Sequence, residues 1–339
     1  MPQTKFHSVL DLAQLPWFEV TGGNTLVAVP EVGPVIDMHA HIALTYLVAQ
    51  KVDVMVETPT THYYLPITTP LDLDLYSNAN FDAESLASMK LDLTALTFTK
   101  WGKRSTHTAP NLIRDMDALG IERAVLLPFD LPVGASNAEV FLDAAARFPR
   151  LIPFGSVHPL NPRFDKTLDH QLGRGIQGMK FHPNGQLMSP DHPKTVSMCR
   201  KCGDHGLPVL FHCGPVGIEP KIAEKRSQVF RYEKTIAENP GTTFILGHCG
   251  ALQHKEALKF SEKYDNLYYE ISCLGLSALS DVLETIEPDR ILYGTDWPFY
   301  HQAITLARVL ILTEGDENLR RKVLHDNAVE LLASISPTR

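Results

Sequence analysis

At 339 residues and 44% hydrophobic side chains, the chain is long enough to bury one large α/β domain or two smaller ones. A net charge of −8 and a pI near 6.0 exclude the basic surface typical of nucleic-acid-binding proteins. Apolar runs are shorter than the ~20 residues of a membrane span, and the start lacks the order of a secretion signal. We therefore expect a cytoplasmic protein whose five cysteines form no disulfide framework.

Eight short apolar runs, most of them separated by helix-length patterns, dominate the chain. Strands that are apolar throughout and alternate with helices are typical of a parallel sheet covered by helices, so the fold class is α/β. Eight such units close most naturally into a (β/α)8 TIM-like barrel. The predicted strands are Val35–His39, Arg123–Leu127, Ile152–Val157, Gly178–His182, Pro208–His212, Thr243–His248, Leu267–Ser272 and Arg290–Tyr293.

Local signals predict where several helices begin and end. Pro110 and Gly120 bound a helix over Asn111–Leu119, because proline suits the first helical turn and glycine the end. Ser136 and Glu139 have the spacing of a capping box. The final helical pattern, Glu317–Leu332, is expected to pack outside the barrel.

Two segments depart from the regular alternation. Residues 1–34 form an N-terminal extension with a candidate strand over Thr25–Val29, ahead of a barrel domain spanning 35–339. A long insertion, 43–108, follows strand one and must lie over the mouth of the barrel, so it is predicted to be a lid or specificity cap. An oligomer contact is the alternative. Contact with the substrate is one alternative for its residues His62, Tyr63, Tyr64 and His107, but we expect a solvated lid.

Metal-ligating side chains stand at the ends of the predicted strands. His39 and His41 are two positions apart on an extended strand, so both imidazoles lie on one face. Nitrogen ligands and one carboxylate from separate strands match the preference of zinc and its divalent neighbours. The other strand-end side chains are Lys180 and His182 on strand four, His212 on five, His248 on six and Asp296 after eight. The pattern predicts one metal centre at the carboxyl ends of the strands.

These residues and the phrases around them resemble the amidohydrolase superfamily. The phrasing is similar to its amidohydrolase-2 branch, the aminocarboxymuconate-semialdehyde decarboxylase-like group, over Val35–Leu332. The similar sequence motifs are Asp37-Met38-His39-Ala40-His41, Gly178-Met179-Lys180-Phe181-His182-Pro183, Gly247-His248-Cys249-Gly250 and Tyr293-Gly294-Thr295-Asp296. The resemblance implies a mononuclear site held by His39, His41, His212 and Asp296, with His248 as a second-site ligand or a free imidazole that positions water.

The resemblance further implies an enzyme that uses metal-activated water on a small carboxylate-bearing substrate, as a hydrolase or a decarboxylase. We expect Zn²⁺ as cofactor, one ion, with two as the alternative. Asp296 would orient the water and accept its proton, with His248 as partner. His182 and Trp297 join Lys180 as predicted substrate-binding residues. A small molecule is the expected partner, with nucleic acid and membrane excluded and a homo-oligomer left open.

Lys180 separates two forms of this hypothesis. In binuclear members of the superfamily a strand-four lysine is carboxylated and bridges two metals, which would make this protein a hydrolase of lactones, amides or esters. We favour the other form, in which Lys180 stays a cation and binds the substrate carboxylate beside one metal. A barrel without activity that serves as a binding protein is a further alternative.

Overall fold

The computed structural model describes residues 3–23 and 25–335, so the predicted boundaries at residues 1 and 339 lie outside it. Eight parallel strands form its centre in two groups, β1 to β3 and β4 to β8. The strands are β1 Val35–Ala40, β2 Ile121–Leu126, β3 Leu151–Pro153, β4 Met179–Phe181, β5 Val209–His212, β6 Phe244–Gly247, β7 Leu267–Glu270 and β8 Ile291–Leu292.

Backbone hydrogen bonds join the two groups of strands at both seams. Between β3 and β4, Lys180 N donates to Gly155 O at 2.8 Å. Between β8 and β1, Met38 N donates to Tyr293 O at 2.9 Å, and His41 N donates to Trp297 O at 2.7 Å. The ring of strands is therefore closed, and the predicted (β/α)8 barrel is confirmed.

The observed strands agree with the predicted ones to within about two residues, except that two end early. β7 ends at Glu270 instead of Ser272 because the Glu270 carboxylate accepts the Ser272 N–H, which removes that donor from the ladder. β3 ends at Pro153, beyond which Gly155 pairs with Met179 only as an isolated bridge.

Helices surround the strands. The α-helices are Ala83–Asp92, Ala109–Ala118, Asn137–Arg147, Phe164–Gly173, Pro193–Asp204, Lys221–Arg226, Phe230–Ala237, His254–Leu258, Leu276–Thr285, Ala303–Leu312, Glu317–Arg321 and Asn327–Ser334. A π-helical turn, Lys322–Asp326, interrupts the final predicted helix. Among the described residues, none of these helices has the length and apolar character needed to cross a membrane.

The predicted capping box at Ser136 is wrong. The Ser136 side chain makes no capping hydrogen bond. Instead the Asp130 carboxylate accepts the N–H of Asn137 at 2.6 Å and that of Ala138 at 3.2 Å, so a residue from the loop after β2 satisfies the free amides of this helix.

The extension and the insertion pack against each other and on the barrel. Lys5–Phe6 pairs with Leu71–Asp72, and Phe18–Thr21 forms a hairpin with Thr25–Ala28. The prediction of a solvated cover is wrong for three of its four named residues, because Tyr63, Tyr64 and His107 are buried. The two phenols donate hydrogen bonds to Asp115 and Asp92, which accounts for their burial.

Candidate metal centre

His39 and His41, at the end of β1, both present Nε2 to the barrel mouth. His41 Nδ1 lies 2.6 Å from the Leu127 carbonyl oxygen, which can only accept, so Nδ1 carries the proton and Nε2 keeps its lone pair. His39 Nδ1 lies 2.6 Å from Glu270 Oε2. The two Nε2 atoms lie 3.6 Å (His39) and 3.2 Å (His41) from Asp296 Oδ1. Hydrogen-bonded Nδ1 and free Nε2 are the usual state of a metal-ligating histidine.

His212 and His248, at the ends of β5 and β6, form a chain of hydrogen bonds with Ser272 and Glu270. Ser272 Oγ donates to Glu270 Oε2 at 2.9 Å and therefore accepts from His248 Nδ1 at 2.7 Å. His248 Nε2 then accepts from His212 Nδ1 at 3.1 Å. His212 Nε2 is left with a buried lone pair that has no hydrogen-bond partner in the described part of the chain. In this arrangement His248 orients His212.

Two buried acids, Asp37 and Glu270, belong to the site although neither was predicted as a site residue. Glu270 Oε2 also accepts the His248 N–H at 3.1 Å, so one carboxylate organises both β1 and β6. Asp37 accepts from His39 N and from Thr295, which precedes Asp296. Burial raises the pKa of Glu270, and burial raises that of Asp37 to about 6, while hydrogen bonds oppose both shifts. A lone acid within an apolar strand was the available signal for each.

The imidazoles are held neutral. Burial lowers the pKa of His39, His182 and His248 well below 6.5 and that of His212 to about 3, and the nearby Lys180 ammonium adds to each shift. A neutral imidazole is the form that binds a metal.

Asp296 is held in an uncommon backbone conformation, with φ at 61°. Its N–H donates to the His39 carbonyl at 2.8 Å, which fixes the side chain over the end of β1. Oδ1 faces the two histidines, whereas Oδ2 lies 3.6 Å from Cys273 Sγ. The two carboxylate oxygens therefore have separate surroundings.

Lys180 and His182 extend from β4 toward the same centre. Lys180 is 1% exposed, and its Nζ lies 3.4 Å from His39 Nε2. Among the described residues no carboxylate oxygen lies within 4.0 Å of Nζ, and burial lowers the Lys180 pKa to about 8. The His182 ring stacks on His212 with centroids 4.0 Å apart. Because His182 Nδ1 accepts the Gly185 N–H at 3.3 Å, its Nε2 carries a proton and can donate.

Trp297 is fully buried, and its Nε1 donates to Asp115 Oδ2 at 3.0 Å. Its indole thus ties β8 to the helix that follows the insertion. Two phenylalanines lie next to the histidines: the Phe299 ring centroid is 6.0 Å from that of His41, and the Phe129 centroid is 4.9 Å from that of His182. The substrate-binding role of Trp297 stays a prediction.

The residues present fit a divalent metal. Ligand atoms of His39, His248 and Asp296 lie within 4.8 Å of one another, a spacing that one ion could draw together. The buried Nε2 of His212, which has no hydrogen-bond partner among residues 3–23 and 25–335, is a further nitrogen donor. Such an orphaned atom is costly unless a ligand satisfies it. Nitrogen donors with a single carboxylate match zinc and related ions.

Comparisons with solved structures show proteins of the same fold. Among solved structures, an uncharacterized TIM-barrel protein from Bordetella bronchiseptica is 17% identical, with a TM-score of 0.62 over 89% of this chain and 99% of that one. A probable 2-pyrone-4,6-dicarboxylic acid hydrolase from Acinetobacter baumannii, with citric acid bound, is 15% identical, with a TM-score of 0.56 over 88% and 99%. A 5-carboxyvanillate decarboxylase from Novosphingobium aromaticivorans, complexed with manganese and 4-hydroxy-3-methoxy-5-nitrobenzoic acid, is 16% identical, with a TM-score of 0.55 over 91% and 98%.

These identities show a shared fold alone. No curated protein sequence matches the chain. The Amidohydro_2 family model, described as amidohydrolase, matches residues 36–333, which include every candidate ligand. The predicted resemblance is confirmed, and the chain belongs to the amidohydrolase family of enzymes, in its amidohydrolase-2 branch.

Proposed function

We propose that this enzyme is a divalent-metal-dependent hydrolase or decarboxylase that acts on a small carboxylate-bearing substrate. One observation carries the proposal: the Nε2 atoms of His39 and His41 meet the Asp296 carboxylate beside a buried lysine ammonium that has no carboxylate partner among the described residues. The imidazole nitrogens and the Asp296 carboxylate suit a metal, and the Lys180 ammonium suits an anionic substrate.

The proposed ligands are His39, His41, His212 and Asp296, with His248 as the support of His212. In the alternative binuclear form, His248 and a carboxylated Lys180 become ligands as well. We propose Zn²⁺ as the ion, and Mn²⁺ belongs in every test because the decarboxylase structure from Novosphingobium contains manganese. When bound, the ion would acidify water and polarise a substrate oxygen.

The chain's own residues supply the remaining functions. Lys180 binds the substrate carboxylate, and the His182 Nε2–H donates a second hydrogen bond to the substrate. Asp296 accepts and returns a proton through Oδ2, the oxygen that lies 3.6 Å from Cys273 Sγ, whereas His248 uses both ring nitrogens on Ser272 and His212 and holds His212 in place. Phe299 and Tyr64, whose ring centroids lie 5.0 Å apart, shield this centre from water.

The similar structures support an acidic substrate but not one reaction. The names of the pyrone dicarboxylic acid hydrolase and the carboxyvanillate decarboxylase both specify carboxylic acids, and both structures contain an organic acid. We therefore propose assays of carbon dioxide release from 5-carboxyvanillate and of ring opening of 2-pyrone-4,6-dicarboxylate, each with Zn²⁺ and with Mn²⁺. Turnover of an acid in either assay supports the proposal. Metal-loaded protein that neither binds nor converts any acid would favour the inactive binding barrel.

The metal ligands are tested by elemental analysis. Wild-type protein should contain about one ion per chain, and His39→Ala or His212→Ala should lower metal content and activity together. His158→Ala is the matched control, because both ring nitrogens of this buried histidine are hydrogen-bonded to backbone groups, Gln186 O and Leu160 N. Wild-type metal occupancy in both ligand variants would refute the assignment.

Lys180 distinguishes the mononuclear site from the binuclear one. If Lys180 binds the substrate as a cation, Lys180→Ala should raise KM while one ion stays bound and the intact mass of the wild type shows no added carboxylate. If Lys180 is carboxylated, the wild type should hold two ions about 3.5–4 Å apart, and Lys180→Ala should lose one of them. Added short carboxylic acids would then restore part of the activity.

A further inference from the structure

Residues 71–80 of the insertion, called the rim segment below, lie at the barrel mouth and are held by a buried arginine. The guanidinium of Arg308 donates three hydrogen bonds to this segment, with donor–acceptor distances of 2.8 to 2.9 Å. Its partners are the carbonyl oxygens of Leu73 and Leu75 and the hydroxyl of Ser77. A fully buried guanidinium with these partners gives the rim segment one defined path across the mouth.

On its inner side the rim segment contacts the loop after β7. Ser77 N donates to the Cys273 carbonyl oxygen at 2.9 Å, and the thiol of the same cysteine lies 3.6 Å from Asp296 Oδ2. Asn78 Nδ2 donates to the Val216 carbonyl at 2.9 Å, which joins the rim segment to the loop after β5. Cys273 therefore contacts both the rim segment and Asp296, the proposed proton acceptor.

Tyr76 immediately precedes Ser77 on this path. The residue is half-buried with its ring packed against the hydrophobic core, and its hydroxyl makes no hydrogen bond to the described residues. Burial of the ring, and then the nearby Cys273, Tyr300 and Asp296, hold the pKa of Tyr76 well above 10. The phenol is thus a fixed, protonated donor at neutral pH.

The geometry points to Tyr76 as a substrate-contacting residue that donates its phenol hydrogen bond to an oxygen of the bound carboxylic acid. The inference rests on the proposed function. Lys180 enters the site from β4, whereas Tyr76 stands on the side of β7 and β8, across the barrel. An acid held between two donors on opposite sides has one orientation, which a single flexible ammonium would not impose.

Calorimetric binding tests the role of Tyr76 without needing turnover. Full-length protein loaded with Zn²⁺ is titrated with 4-hydroxy-3-methoxy-5-nitrobenzoic acid. Tyr76→Phe, which keeps the ring and removes the hydroxyl, should weaken binding about tenfold, the usual worth of a hydrogen bond to a charged acceptor. Metal content and melting temperature should not change. The control is Tyr268→Phe on β7, whose ring lies against Arg290, and this variant should bind like the wild type.

Each outcome bears on one of the two proposals. Equal affinity of wild type and Tyr76→Phe overturns the role of Tyr76 and leaves the proposed function standing. A wild type that binds neither this acid nor citrate overturns both. If Tyr76→Phe melts early, 3-fluorotyrosine placed at position 76 alone gives the second measurement. Its fluorine resonance should shift when the acid is added, and an unchanged resonance overturns the inference.

Discussion

Backbone groups of fixed polarity assign the two ring nitrogens of His41 and of His182. The Leu127 carbonyl makes His41 a lone-pair donor at Nε2, whereas the Gly185 amide makes His182 a proton donor there. His41 is thereby suited to a metal and His182 to a substrate oxygen. The difference comes from one backbone group in each case.

Ser272 should control metal affinity although its hydroxyl does not itself contact the proposed ligand atoms at the barrel mouth. Its hydroxyl links the Glu270 carboxylate to the His248 imidazole, and His248 in turn orients His212. Ser272→Ala should weaken metal binding by roughly 10-fold, the lower range for loss of an orienting group. Competition with a chromophoric chelator measures this. The control, Ser261→Ala, removes a hydroxyl bound only to the Leu258 carbonyl, and equal affinity of both variants would contradict the relay.

Asp296 should matter beyond ligation, because its Oδ2 is turned away from the histidines. Asp296→Asn roughly keeps the shape and removes the basicity, so kcat should fall at least ~100-fold, the usual worth of a positioned base. Metal content is measured on the same samples. Near-normal turnover with metal retained would refute the role of Asp296 as proton acceptor.

Among the elements, the rim segment shows how an insertion becomes part of a site. Its main chain is paired at several points, so no helix or long strand of its own is needed to fix it. At Asp74 it passes close to the start of helix Leu276–Thr285, where Leu276 N donates to Leu73 O at 3.0 Å. This approach requires a residue without a side chain at Gly275.

Gly275→Ala should therefore destabilise the protein. A Cβ at this position would lie 2.1 Å from the Asp74 carbonyl oxygen, a backbone atom that cannot move alone. The expected loss is about 1–3 kcal/mol in the free energy of unfolding, as for other overpacked positions. Urea denaturation measures it. Gly241→Ala is the control, because a Cβ there meets nothing within 4 Å, and equal midpoints for the two variants would contradict the steric argument.

Considered as a folded unit, the protein encloses many neutral histidines. His107 is 1% exposed and donates from Nε2 to the His62 carbonyl at 2.9 Å. Burial lowers its pKa from 6.5 to about 3. Between these two pKa values the unfolded chain binds a proton at His107 that the folded chain does not. The His107 contribution to stability is therefore present above pH 6.5 and is lost as the pH falls toward 3.

Metal-free protein should accordingly lose stability in acid. The free energy of unfolding should fall by about 1.4 kcal/mol per pH unit for each such histidine as the pH drops below its unfolded pKa. His107→Gln should make the decline shallower by that amount, and His7→Gln, at an exposed position, should leave it unchanged. Urea titrations between pH 7 and pH 5 measure the slopes. Parallel slopes for wild type and His107→Gln would refute the assignment.

Sequence periodicity was sufficient for the barrel and for the strand-end positions of the candidate ligands. Alternation along an extended strand places His39 and His41 on one face whatever surrounds them, and apolar runs separated by helices leave few other folds. The ends of strands and helices were less predictable. Glu270 at the end of β7 and Asp130 before helix Asn137–Arg147 bind backbone amides through side-chain hydrogen bonds that no local pattern reveals.

The chemistry within the centre depended on contacts between distant parts of the chain. Glu270 reaches His39 across 231 positions and Asp37 reaches Thr295 across 258, so their functions are not visible in either local segment. The same holds for the rim segment, which the composition indicated only as a polar cover and which Arg308 fixes beside Asp296. Local residue patterns specify which face a side chain takes, whereas proton positions and hydrogen-bond partners follow from which strands and loops the closed barrel brings together.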